Sequence, residues 1–428
     1  MRCSCSSIFV VAAILALPCA AQNVQILSRQ DAEKIAIQNH PQVQAAIDVA
    51  AAAAAQVREV RSAYYPQAYG SATGVEAEHD SRIAAGDLNN PIIYDRYANG
   101  ITVGQLVTDF GRTHELSKSS NLHAQAQQEN VVTTRADVLL AVDQAFYGVL
   151  KAKAVLRVAE ETVRERQLIV DQVTAMAKNQ LKSQLDVSFA SVDLAQAQLL
   201  LVEAQNDLQA SYAQLSTALG YANQRVFEPV EETLPGSPPT DITQLIAEAL
   251  RDRPELIGQR LDVSSATSYV TAERDLWMPT LSAVGTAGVV PFREEELASR
   301  YAAAGFNLNI PIFNGHLYGA LRNEAESRAR AQEQYLRDLQ DRIVRDVRTA
   351  WLNANSGFQR LSLTEQLLQE ATEAFDLAQA RYKLGLSSIV ELSQAQLGLT
   401  QAEIEQASAK FDYQNQLAVL SYQLGALH

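Results

Sequence analysis

The chain has 428 residues, a formal net charge of −14 and 47% hydrophobic residues. The acidic balance argues against a nucleic-acid-binding protein, which needs a basic surface. All 3 cysteines lie near the start of the chain, and the 6 histidines are scattered without ligand spacing. We therefore expect no disulfide framework, no metal site and no cofactor in the remainder. The sequence also contains no motif that predicts an enzyme.

The first 21 residues have the features of a secretory signal peptide. Residues 8–17 are apolar, which is shorter than the about 20 residues that span a bilayer as a helix. Small residues at Cys19 and Ala21 fit cleavage after Ala21, so we expect an exported mature chain that begins at Gln22. An alternative is a lipoprotein acylated at Cys19, although Pro18 stands where such a site needs a small residue.

No later apolar run is expected to span a membrane as a helix, so any membrane insertion would use strands.

The rest of the sequence repeats itself. Pro41 and Pro66 have the same separation as Pro254 and Pro279. Self-similarity of this kind predicts two copies of one structural unit. The predicted divisions are a signal peptide at 1–21, a first repeat at 22–227, a linker at 228–241 and a second repeat at 242–428.

Long stretches without proline predict a helical hairpin in each repeat, over about residues 112–220 and 316–425. They are rich in alanine, glutamine, leucine, glutamate and arginine, which favour helices. Residues 179–183 and 384–388 interrupt these stretches and predict the turns. The first helix of each hairpin would be about 100 Å long at 1.5 Å per residue. Helices of that length must pack along one another as coiled coils.

Each repeat also contains two segments in which apolar and polar residues alternate. The predicted strands cover about residues 66–78, 97–109, 279–290 and 302–313. In the last segment, Phe306, Leu308 and Ile310 alternate with Asn307 and Asn309. This pattern is typical of a transmembrane barrel strand with its apolar side chains toward lipid. A half-buried sheet of a water-soluble protein is the alternative.

Aromatic residues favour the membrane interpretation because they mark both ends of the predicted strands. The predicted membrane-interface aromatics are Tyr64, Tyr65 and Trp277 at the helix-to-strand junctions, and Tyr94, Tyr97, Phe292 and Tyr301 at the loop ends. Four strands cannot close a barrel, and an open edge cannot lie in lipid. Two chains would give eight strands with a filled interior, and three would give twelve with a lumen.

Together with the duplication, two stretches resemble the TolC-like outer membrane efflux protein family. Residues 380–392, ARYKLGLSSIVEL, are similar to the tip of that family's second periplasmic hairpin, and residues 181–187 to the first. The likeness covers about residues 28–425. It implies an all-α coiled-coil tunnel plus a transmembrane β-barrel, with four strands per chain and a homotrimer closing a 12-stranded barrel.

The resemblance also implies a function and partners. The protein would be the outer-membrane exit duct of a tripartite efflux or type I secretion system in a Gram-negative bacterium. It would conduct substrates passively. Its partners would be a periplasmic adaptor (membrane fusion protein), an inner-membrane pump of the RND, ABC or MFS type, and outer-membrane lipid, with no nucleic acid.

The hairpin tips carry the site residues that the resemblance implies. Glu391 and Gln394 occupy the positions of an acidic ring at the tunnel entrance, and Tyr382 with Asp186 occupies those of a gate latch. The implied adaptor-docking residues are Leu384, Gly385, Leu386, Asn179, Gln180 and Leu181. From the residues alone, the carboxylates equally fit ordinary first-turn positions of helices, and Tyr382 fits a buried packing residue.

Other latch positions of the family carry apolar or small residues here, namely Ser387, Leu185 and Ile169. We therefore expect an entrance that is closed at rest but held weakly. The rival interpretation is an exported periplasmic coiled-coil adaptor or structural protein that forms no pore. The two predicted strand pairs argue against it, because an adaptor has one helical hairpin rather than two copies of a hairpin with strands.

Overall fold

The computed structural model describes residues 25–78, 81, 93–295 and 297–427. The predicted signal peptide and mature N-terminus lie outside these ranges. Within them, the chain forms two long helical hairpins, a four-stranded antiparallel sheet and a small two-stranded parallel sheet. The small sheet pairs a strand near the start of the chain with one at the boundary between the predicted first repeat and linker.

Corresponding helices of the two repeats have equal lengths. The helices are α1 (Arg29–Asn39), α2 (Pro41–Arg61), α3 (Arg112–Lys178), α4 (Gln184–Ala218), α5 (Ile242–Asp252), α6 (Pro254–Arg274), α7 (Leu317–Lys383) and α8 (Ile389–Gln423). Helices α1 and α5 have 11 residues each, α2 and α6 have 21, α3 and α7 have 67, and α4 and α8 have 35. This agreement is what an internal duplication produces.

The strands of the main sheet lie between the second and third helices of each repeat. The small sheet consists of β1 (Gln25–Leu27) and β4 (Phe227–Pro229). The main sheet consists of β2 (Gln67–Val75), β3 (Arg96–Thr108), β5 (Thr280–Arg293) and β6 (Arg300–Asn309). The order in the main sheet is β2-β3-β5-β6. Pairing of β3 with β5 joins the two repeats, and β2 and β6 form the edges.

Proline explains several of these boundaries. Pro41 and Pro254 are the first residues of α2 and α6, where a missing N–H group costs nothing. Pro66 and Pro279 stand directly before β2 and β5. Strand β6 ends at Asn309, before the predicted end at residue 313, because Pro311 has no N–H to donate to a ladder.

The register gives the main sheet an apolar face and a polar face. Residues directly opposite each other share a face. Ile101 pairs with Ala287, which pairs with Ala302, so Ile101 shares its face with Phe306 and Leu308. On the other face, the hydroxyl groups of Thr102 and Thr286 lie 3.2 Å apart, and Asn307 and Asn309 occupy the same side. The sheet therefore has the alternation expected from the sequence.

The helices pack around seams in which α3 contacts α2, α4, α6 and α8. The largest apolar cluster lies where both hairpins approach β1 and β4, and it includes the fully buried Phe146, Leu215 and Phe227. A second cluster, including Ile169 and Tyr382, joins the two hairpins near their tips. Burying one such large side chain stabilises the fold by about 1.5–3 kcal/mol.

Helix α4 is long and apolar enough to cross a membrane by length and composition alone, which the sequence analysis did not anticipate. The apolar side chains of α4 form two separate seams along the helix. Ala190, Ala197 and Ala204, spaced by heptads, are buried. Leu185, Val192 and Leu199, also spaced by heptads, are exposed in the single chain. The helix thus has one packed seam of small residues and one unpartnered seam of large ones.

Candidate functional site

The tip of the second hairpin is a turn built around Gly385. This residue has φ +74°. Its N–H donates to the carbonyl oxygen of Tyr382 at 3.1 Å, and the N–H of Leu386 donates to that of Arg381 at 2.8 Å. These two bonds form a Schellman motif, which favours glycine at the left-handed position. Leu384 and Leu386 project from the turn into solvent.

The first hairpin makes the same turn without glycine. Gln180 has φ +59°. Its N–H donates to the carbonyl oxygen of Ala177 at 3.0 Å, and the N–H of Leu181 donates to that of Met176 at 2.9 Å. Asn179 ends the helix, as Leu384 does in the second repeat. A non-glycine residue in this region costs about 1–2 kcal/mol. Both tips nevertheless have the same backbone shape, and each presents an exposed leucine.

The two predicted latch residues lie near each other but are not hydrogen-bonded within the chain. Tyr382 is 4% exposed, and its hydroxyl has no hydrogen-bond partner in the described part of the chain. Burial, and then the nearby Asp186 carboxylate, raise the pKa of Tyr382 to about 12. Asp186 instead accepts hydrogen bonds from the backbone N–H and the hydroxyl of Ser183, both at 2.9 Å. It forms a capping box at the start of α4.

The predicted entrance residues lie on the exposed side of α8. Glu391 and Gln394 line a shallow depression between α7 and α8. The carboxylate of Glu391 lies 3.3 Å from the guanidinium Nε of Arg381. The sequence pattern did not single out this arginine, although it lies ten residues before Glu391 across a tight turn. The site predicted to be acidic therefore carries an ion pair in each chain.

The predicted aromatics at the helix-to-strand junctions lie on the surface. Tyr64, Tyr65 and Trp277 are exposed, and Trp277 packs edge-on against Tyr318 with ring centroids 5.6 Å apart. Gln105 interrupts the apolar pattern of β3, and its side-chain amide donates to the backbone oxygen of Tyr64 at 3.1 Å. This contact gives the polar residue a structural role at the junction.

The aromatics at the loop end do not all lie on one face. Tyr97 and Phe292 are directly paired on the apolar face, with ring centroids 6.4 Å apart. Tyr94 is half-buried just before β3. Tyr301 is paired with Gly288 and therefore lies on the polar face, where a Cβ atom on that glycine would collide with its ring. The register thus places Tyr301 on the opposite face of the sheet from Tyr97 and Phe292.

A partly buried charged cluster that the sequence did not reveal lies about midway along α3, where α1 and the linker pack against that helix. The guanidinium Nε of Arg29 lies 3.2 Å from each carboxylate oxygen of Glu232, and its Nη1 lies 3.5 Å from Asp143. Glu33 also pairs with Arg29. Tyr147 donates its hydroxyl hydrogen to Glu232 at 3.2 Å. The cluster ties α1 and the linker to α3.

Asp143 is the most buried member of this cluster, at 1% exposed. Its burial, and then the neighbouring Glu33, raise its pKa to about 7, and Arg29 opposes the shift without cancelling it. The partners of Arg29 are up to 203 residues away in sequence. The spacing of these residues along the sequence therefore could not predict that they form one cluster.

The comparisons with known proteins agree with this architecture. A family model described as outer membrane efflux protein matches residues 34–221 and 245–426. The chain belongs to the outer membrane efflux protein family. The two matched segments correspond to the two repeats, and the resemblance stated from residues 380–392 is confirmed.

Relatives within the family share about a quarter of the aligned residues. The chain is similar to outer membrane protein TolC of Escherichia coli, with 25% identity over 357 residues that cover 78% of this chain and 72% of the relative. It is also similar to the alkaline protease secretion protein AprF of Pseudomonas aeruginosa, with 24% identity over 407 residues, 93% of this chain and 84% of the relative.

Solved structures support the same fold. The crystal structure of CusC superimposes with a TM-score of 0.81 at 20% identity, covering 93% of this chain and 92% of that chain. The outer membrane protein VceC of Vibrio cholerae gives a TM-score of 0.80 at 17% identity, covering 93% of this chain and 96% of that chain. At these identities the likeness concerns the fold.

Proposed function

We propose that this chain is one subunit of a passive exit duct in the outer membrane, fed by an inner-membrane pump through a periplasmic adaptor. The observation that carries the proposal is a two-faced sheet of four strands at one end of two very long helical hairpins. The edge strands β2 and β6 have no further partner among the strands described. Such edges cannot lie in lipid, so the sheet must close with other copies.

A homotrimer is the assembly that this argument favours. Three chains give twelve strands, enough to leave a lumen. The helices offer a second interface, because α4 and α7 share no substantial contact within the chain. Both expose large apolar side chains. They are Leu185, Val192 and Leu199 on α4, and Leu363, Leu367 and Leu377 on α7.

We propose that, in a ring of identical subunits, the exposed seam of α4 of one chain packs against the exposed seam of α7 of the next. Burying each leucine of the seams would contribute about 1.5–3 kcal/mol. The trimer would then be held together by its helices as well as by its strand edges.

The orientation follows from the two faces of the sheet. The apolar face, with Ile101 and Phe306, would contact lipid, and the polar face would line the lumen. Tyr64, Tyr65 and Trp277 would lie at the periplasmic interface, and Tyr97 with Phe292 at the outer one. The hairpins would then extend into the periplasm.

The tips are the proposed docking surface for the adaptor. Both present exposed leucines on matching turns, Leu181 in the first hairpin and Leu384 with Leu386 in the second. The names of the relatives include a protease secretion protein and a cobalt-zinc-cadmium resistance protein. We therefore propose service in efflux or type I secretion, with a pump of the RND, ABC or MFS type supplying the energy.

Two measurements test the duct. The purified full-length protein should migrate as a heat-modifiable trimer, and it should conduct ions when added to a planar lipid bilayer. A monomer that stays in solution and never conducts would favour the alternative, a periplasmic adaptor or structural protein that forms no pore.

A further inference from the structure

A lysine in the first hairpin tip reaches the second hairpin tip. Lys182 is half-buried in the turn between α3 and α4. Its ammonium nitrogen lies 3.8 Å from the centroid of the Tyr382 ring. The same nitrogen donates a hydrogen bond to the backbone oxygen of Tyr382 at 3.3 Å, across 200 residues of sequence. One side chain therefore contacts both the ring and the backbone of the opposite tip.

Each of these contacts is attractive for a defined reason. The face of an aromatic ring attracts a cation. The oxygen of Tyr382 lies in the last turn of α7, at the negative end of the helix dipole. The ring belongs to an apolar cluster that includes Ile169 and Leu392, and a cation–π contact is stronger where water is partly excluded.

The contact lies at the outer end of the junction between the hairpins. Farther from the tips, Arg166 donates to Thr400 at 3.2 Å, and Ser393 donates to Asp193. At the tips themselves, the hydroxyl of Tyr382 is not bonded to Asp186 within the chain. The Lys182 ammonium group thus supplies a polar link between the tips at a level where that pair does not.

We propose that Lys182 is a latch residue that holds the two hairpin tips of one chain together and so restricts the entrance of the proposed duct. The proposal rests on the duct function proposed above. It adds a residue to the latch that the resemblance did not include, and it assigns the aromatic ring and backbone oxygen of Tyr382 a role separate from that of its hydroxyl.

The test compares Lys182→Met with a matched control, Lys383→Met, in the full-length protein. Lys383 is exposed in the same last turn of α7, and its ammonium group bonds to Gln379 of its own helix. In planar bilayers, Lys182→Met should raise the ratio of open to closed states about tenfold, which lies between the effects expected for exposed and for desolvated cation–π contacts. Lys182→Arg keeps a cation at this position and should retain the wild-type ratio, and Lys383→Met should leave the ratio unchanged.

Hydrogen exchange of the hairpin tips gives a readout that does not require conduction. Lys182→Met should speed the exchange of amides 382–386 relative to Lys383→Met. If the wild type never conducts but this difference in exchange remains, the proposed duct function is contradicted and the Lys182–Tyr382 contact is supported. Equal exchange and equal conductance for Lys182→Met and Lys383→Met would overturn the latch.

A double-mutant cycle separates the ring from the hydroxyl. Tyr382→Phe keeps the ring and the backbone oxygen, so Lys182→Met should have its full effect in that background. Tyr382→Leu removes the ring but retains an apolar side chain, so the effect of Lys182→Met should shrink. An effect of the same size in both backgrounds would show that the ring is not the partner.

Discussion

The guanidinium Nε of Arg381 lies 3.3 Å from the carboxylate of Glu391, so the acidic residue of the proposed entrance has a cationic partner in its own chain. A threefold ring would then alternate in charge rather than present three bare carboxylates. Both side chains are partly exposed, and an exposed ion pair is worth about 0–1 kcal/mol. The pair therefore changes the local electrostatic field but contributes little free energy to holding the tip in one conformation.

We predict that Glu391→Gln weakens block of the channel by multivalent cations, because it removes the carboxylate and leaves Arg381 unpaired. Arg381→Gln should do the opposite and strengthen the block. The measurement is the blocking concentration in planar bilayers at low salt, with changes of a few-fold expected for exposed charges. Identical block in both variants would place this pair away from the lumen.

We predict that Tyr382→Phe combined with Asp186→Ala raises conductance without dissociating the trimer. In the assembled duct, the buried hydroxyl would find its acceptor at a hairpin tip, and a hydrogen bond to a charged group is worth about 1.5–3 kcal/mol. Ser183→Ala is the control, because it removes part of the same helix cap and keeps the carboxylate. Equal conductance of the control and the double variant would assign the effect to capping.

We predict that Leu308→Lys blocks membrane assembly and that Asn307→Lys is tolerated. The register places Leu308 on the apolar face and Asn307 on the polar face. A lysine at mid-bilayer on the lipid face costs about 2–4 kcal/mol, and each trimer would contain three. Ile310 is a poor test position, since it lies beyond the end of β6.

The measurement is the fraction of each variant that is recovered as a heat-modifiable trimer. Phe306→Lys and Asn309→Lys repeat the comparison two residues away on the same two faces. Equal recovery of all variants would show that the apolar face of the sheet is not the face that contacts lipid.

We predict that Asp143 makes the protein less stable as pH rises from about 4 to 7. The folded pKa of about 7 exceeds the ordinary value of 3.8, so in this window the folded chain retains a proton that the unfolded chain has lost. Asp143→Asn should flatten this part of the stability profile. Denaturation midpoints measured across that range check it, with the exposed Asp171→Asn as the control.

Several elements could be predicted because their signals are local. The paired prolines mark the same boundaries in both repeats, and Gly385 marks a turn because its positive φ favours glycine. The alternation around Phe306 reflects the period of a strand. Each of these signals depends on neighbours within a few residues.

Other features could not be predicted because they depend on contacts between distant segments. Gln180 adopts the left-handed conformation of a glycine, which its residue type does not suggest. Arg29 gathers partners from α3 and the linker, and Lys182 reaches the other repeat. The exposed apolar seam of α4 raises the hydropathy of this helix to that of a membrane helix, and local composition alone does not distinguish the two.

The sheet has two different edges, and this difference limits how copies can join. The strand β2 comes from the first repeat and β6 from the second, so in the proposed ring an edge of one kind would meet an edge of the other. A contact of this type is heterologous, and it ends only when the ring closes. A two-fold dimer that paired like edges would leave the other edges open, whereas a cyclic assembly satisfies every strand and cannot grow into a polymer.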